Sequence, residues 1–182
     1  MDLGLKGRKA IVTGGSKGIG RAIAELLADE GCNVGICARN GDEVDAAVAS
    51  LKAKGVDACG SAIDVREGDA VRKWVADCAA ALGGLDIVVP NVSALAIERN
   101  EDSWRAQFEV DILHTVNTCE DALPLLEKSD AGSIVIISSV SVRSRRRLFT
   151  MPRRSPAKMP ARISALIPSR PATPISKAAF GR

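Results

Sequence analysis

Thr13-Gly14-Gly15-Ser16-Lys17-Gly18-Ile19-Gly20 stands between an apolar run, Lys9 to Thr13 (KAIVT), and a helical pattern that begins at Ile19. Its spacing, Gly-x-x-x-Gly-x-Gly, decides the fold. Glycines let the chain turn sharply after a strand. Their missing side chains let backbone approach a pyrophosphate, and the helix that follows offers unpaired N–H groups and a partial positive charge. Strand, glycine turn and helix in that order make the first unit of a dinucleotide-binding sheet.

The pattern repeats outward from this turn. Ile19 to Glu30 places Ile23, Leu26 and Leu27 on one helical face and stops at Gly31. Asn33 to Ala38 reads as a second strand, and Val44, Val48 and Leu51 follow at helical spacing. Val56 to Ile63 gives a third strand. Val71, Trp74, Val75, Cys78 and Leu82 mark the next helix, and Leu85 to Val89 a fourth strand. A long helix from about Ser103 is expected to turn Trp104, Phe108, Ile112, Val116 and Cys119 inward. Ser133 to Ser138 is a fifth strand. Five short apolar strands separated by helices predict an α/β fold, a doubly wound parallel sheet of the Rossmann type. Its ligand site lies beyond the C-terminal ends of the strands.

Several stretches resemble the short-chain dehydrogenase/reductase family. The glycine turn with Thr13 ahead of it is one. Asp64-Val65 follows the third strand, where that family contacts adenine. Leu85-Asp86-Ile87-Val88-Val89-Pro90-Asn91 is similar to the stretch leading into the family's Asn-Asn-Ala-Gly motif, of which only Asn91 remains. Gly132 to Ser139 resembles the strand that ends at the catalytic serine, Ser139. The catalytic Asn of the family falls at Asp111, whose charge would alter a proton relay. The resemblance covers about residues 5–142. It implies an oxidoreductase moving a hydride to or from a small carbonyl compound or secondary alcohol.

Cofactor contacts are expected at Gly14, Ser16, Lys17, Gly18, Ile19, Gly20, Arg39 and Asn40 and, by resemblance, at Asp64, Val65 and Asn91. The second strand ends Cys37-Ala38-Arg39-Asn40 without the acid that usually binds a ribose 2′-hydroxyl. Arg39 suits a 2′-phosphate, and Lys17 adds a second cation. NADP is therefore expected ahead of NAD.

The acid/base of the family is a tyrosine in Tyr-x-x-x-Lys. This chain has no tyrosine. Ser176-Lys177-Ala178-Ala179 resembles the surroundings of the lysine, yet Thr173 stands where the phenol belongs, and an aliphatic hydroxyl is no substitute near neutral pH. The resemblance thus predicts impaired catalysis. A cofactor-binding fragment without turnover is the alternative.

Residues 143–182 differ in kind. They hold 11 of the 25 Lys and Arg, none of the 22 Asp and Glu, and six of the eight prolines. Residues 1–142 keep 14 basic against 22 acidic residues, a net of −8. The basic segment shows no sustained period, and its prolines interrupt regular elements. It reads as a disordered tail, the composition expected of a shifted reading frame, with the sheet cut off after its fifth strand. An open edge there invites homo-oligomers or aggregation. The cationic tail would attract polyanions, but it lacks a stacking pattern, so nucleic acid is not an expected partner.

Five cysteines without C-x-x-C spacing imply reduced side chains and no metal site. His114, the single histidine, lies in a helical stretch, so no metal or catalytic role is expected of it. No apolar run reaches the roughly 18 residues of a membrane span. A cytoplasmic protein is the expectation.

Overall fold

KAIVT is buried along nearly its whole length, and so becomes the middle of a sheet rather than its rim. A computed structural model describes residues 3–96 and 98–138, and the backbone of 162–166. Strand β1 (Lys9–Thr13) is followed by α1 (Gly18–Asp29), β2 (Asn33–Ala38), α2 (Gly41–Lys52), β3 (Ala58–Ala62), α3 (Gly68–Leu82) and β4 (Ile87–Val89). Helix α4 (Glu101–Gln107) runs through a π-helical turn (Phe108–Leu113) into α5 (His114–Leu126), and β5 (Ser133–Ile137) closes the series.

The strands pair in parallel in the order β3-β2-β1-β4-β5-β6, where β6 is Arg162–Leu166. Right-handed crossovers place α1 and α2 on one face and α3 and α5 on the other. Each face has its own core. Val12, Val34, Ile36, Val44 and Leu51 fill the first, while Ile11, Val71, Trp74, Val88, Leu126 and Ile134 fill the second. The strands supply the two faces alternately, as the two-residue period requires. Buried Asp86 joins the starts of the strands, accepting from the Lys9 N–H at 2.8 Å and the Ser129 hydroxyl at 2.5 Å.

Three details depart from the sequence reading. The sheet does not end at β5. The backbone of β6 pairs with it from Ser133↔Arg162 to Ile137↔Leu166. Strand β5 presents unmet N–H and C=O groups on its outer side, and a short run between Pro160 and Pro168 satisfies them. The expected disorder of the rest of 143–182 falls outside the described residues. Second, Trp104 and Phe108 point outward, 51% and 54% exposed. The π turn inserts an extra residue, so the stripe that begins on α4 is out of phase with α5. Asp111, His114, Thr115 and Thr118 take the inner positions instead. Third, Leu26 is exposed, and α1 buries its small residues, Gly20, Ala24 and Ala28.

Candidate functional site

The C-terminal ends of β1, β2 and β3 lie side by side, with Thr13 opposite Cys37 and Ala38 opposite Ala62. The segments leaving them carry the glycine turn, Arg39-Asn40 and Asp64-Val65. On the other side of β1, the end of β4 leads to Asn91. The sheet therefore gathers nearly all the expected cofactor residues along one edge.

Within the turn, Gly14 and Gly18 have φ of 67° and 58°. Nothing stands within 4 Å of a Cβ built on Gly18, so that glycine serves conformation. Gly20 serves approach, since a Cβ there would lie 2.3 Å from the Gly14 carbonyl oxygen and 2.6 Å from Asn91 Nδ2. Helix α1 starts from an extended Lys17 whose side chain makes no capping bond. Its first N–H groups thus point into the turn without a side-chain acceptor, which fits an anionic ligand. A pyrophosphate suits this cradle.

The turn is pinned by a buried network. Asn91 donates its backbone N–H to Thr13 Oγ1 at 2.9 Å and its Nδ2 to the Thr13 carbonyl at 3.0 Å. His114 is fully buried, with Nδ1 2.9 Å from the Val110 carbonyl and Nε2 3.0 Å from Thr13 Oγ1. A carbonyl can only accept, so Nδ1 carries the proton. In the neutral tautomer Nε2 then accepts from the Thr13 hydroxyl, which meets both contacts. Asp111, also buried, accepts from the Ala94 N–H at 3.1 Å and so holds the segment after β4.

The remaining expected residues divide by task. Asn40 caps α2, accepting from the Glu43 N–H at 3.1 Å. Val65 is buried in the core of the α3 face. Asp64 binds the Arg66 guanidinium, and that hydrogen bond draws its carboxyl below the usual carboxylate range. Ile19 is exposed beside the turn. Arg39 is exposed, with no hydrogen bond or ion pair among the described residues. Ser139 lies outside the described residues. Sequence reasoning missed Glu43, which faces Ser16 and Lys17, each 3.3 Å away. The signal was available as Asn40-x-x-Glu43, a capping pattern that fixes an acid in the first turn of a helix.

The family model described as short chain dehydrogenase matches residues 8–151. The chain belongs to the short-chain dehydrogenase family. Isoepoxydon dehydrogenase of Penicillium expansum is 35% identical over 142 residues, covering 76% of this chain and 55% of that protein. A short chain dehydrogenase of Burkholderia cenocepacia solved with NADP aligns with a TM-score of 0.69 and 35% identity, over 75% of this chain and 57% of that one. One from Mycobacterium paratuberculosis bound to NAD gives 0.70 and 30%, over 74% and 56%. The chain spans about half the length of the curated relatives it matches. Members of the short-chain dehydrogenase family that resemble it thus carry either nicotinamide dinucleotide. Among the described residues no helix is long and apolar enough to cross a membrane.

Proposed function

We propose that this chain holds a nicotinamide dinucleotide across the β1–α1 turn, prefers NADP(H) to NAD(H), and does not by itself complete carbonyl reduction. Bound there, the cofactor would supply or take up a hydride. The turn and the N-terminus of α1 hold its pyrophosphate, and Asp64 and Val65 line the adenine side. Arg39 carries the NADP reading. It is an exposed cation with no hydrogen bond or salt bridge among the described residues, at the end of the strand where a 2′-phosphate would arrive. A guanidinium meets a phosphate with two parallel charge-assisted hydrogen bonds. Titration of nicotinamide fluorescence should show NADPH binding more tightly than NADH, and Arg39→Asp should reverse that order. Equal affinities before and after the change overturn the preference.

The limit on turnover comes from proton chemistry. Ser139 would orient a substrate carbonyl and Asp111 would hold a water, but no tyrosine is present to move the proton. General acid–base catalysis contributes about 10²–10⁴-fold to rate. No NADPH oxidation above background is expected across a broad panel of ketones and aldehydes. Measurable turnover refutes this, and its loss in Lys177→Ala would place the donor near Ser176-Lys177.

A further inference from the structure

We infer that Glu43 is a specificity-determining residue of the cofactor site, set to limit the gain from a 2′-phosphate. The inference rests on the cofactor reading above and concerns Lys17, the second cation assigned to the 2′-phosphate. Three contacts fix the carboxylate. The Ser16 hydroxyl donates to Oε2 at 3.3 Å. Lys17 Nζ lies 3.3 Å from Oε1 and 3.3 Å from Oε2. The backbone below is held by the Asn40 cap, so the first turn of α2 cannot carry the acid away without losing that bond.

The two cations assigned to the phosphate are therefore unequal. Arg39 makes no hydrogen bond or salt bridge among the described residues and feels the Asp64 carboxylate only at longer range. Lys17 is already neutralised by an acid that faces the same cradle. A 2′-phosphate carries up to two negative charges and must either displace Glu43 from Lys17 or sit beside it. A 2′-hydroxyl meets no such repulsion and can donate to the carboxylate. Glu43 thus opposes NADP(H) selectively, whichever dinucleotide the whole site prefers. The Lys17 side chain is 78% exposed, so the effect is screened and modest.

Glu43→Gln separates charge from shape, because the amide still accepts from Ser16 and keeps the length of the side chain. Calorimetric titration with NADPH and NADH, and with adenosine 2′,5′-bisphosphate as a fragment probe, reads the outcome without turnover. NADPH and the bisphosphate should bind roughly two- to fivefold more tightly to the variant, with NADH unchanged. The gain should shrink as ionic strength rises from about 0.01 to 1 M, where the screening length falls from about 30 to 3 Å. Unchanged NADPH affinity, or an equal change for both dinucleotides, overturns the inference. A wild type that prefers NADH but gains NADPH affinity in Glu43→Gln sinks the NADP reading and leaves this one standing. A wild type that prefers NADPH with no response to the change does the reverse. Failure of every nucleotide to bind overturns both.

Discussion

The two halves of the sheet are finished to different degrees. The β3-β2-β1 half has α1 and α2 on one face and α3 on the other, and the residues of β1 and β2 are mostly buried, while at the β3 edge only Ala58 is. In the β4-β5 half, α5 covers one face. On the other face, among the described residues, Ile87, Val89, Val135 and Ile137 line a groove of about 510 Å³, with Leu5, Ile23 and Leu27 along its sides. The same kinds of residue occupy both halves. Among the described residues, what differs is the presence of a covering element, so an apolar strand residue contributes according to what stands over it. The glycine turn proposed to hold the pyrophosphate follows β1, in the first of these halves.

The largest test of this contrast is Trp74→Ala. Trp74 is 1% exposed and donates its Nε1 to the Ile36 carbonyl at 3.2 Å. Truncation should cost about 3–5 kcal/mol in denaturant unfolding, from the cavity and the orphaned carbonyl together. Val135→Ala, in the open half, should cost below about 1 kcal/mol, because its methyl groups are only partly withdrawn from water. Equal losses at the two positions would mean that the groove is closed in solution.

The smallest effect sits at the edge of the proposed cofactor site and is read by pH. Asp64 titrates below its ordinary value because Arg66 hydrogen-bonds its charged form. A carboxyl depressed in the folded state adds stability above its unfolded pKa, about 3.9, and that stability is lost as pH falls through the depressed value. Arg66→Ala should raise the Asp64 pKa in a carboxyl NMR titration. Any difference in stability from the wild type should be present at neutral pH and vanish on acidification. An unmoved Asp64 would assign the depression to other neighbours.

The strands, the glycine turn and the family were legible because each is local. A five-residue apolar run or a Gly-x-x-x-Gly-x-Gly spacing announces itself within one element. What was illegible depends on elements meeting. Glu43 reaches Lys17 only because the first turn of α2 faces the start of α1, across 26 positions of chain. The outward turn of Trp104 and Phe108 follows from one extra residue in a π turn, which leaves no compositional mark. His114 is buried against Thr13, a partner that could not be named from the sequence. The pairing of β6 arises from the need of β5 for a neighbour, and the flanking prolines concealed it.

The Thr13 network also sets an order of assembly. The anion cradle is written in eight consecutive residues, yet its shape depends on Asn91, 78 positions later, and on His114, 101 positions later. Contacts of such long sequence separation must close large loops before they return any stabilisation, and this slows folding. A nascent chain that has cleared the ribosome only as far as α3 contains every glycine of the motif and neither of its pins. The cradle is complete only once α5 has been made and has docked, so nucleotide binding should appear late in refolding, together with the burial of His114.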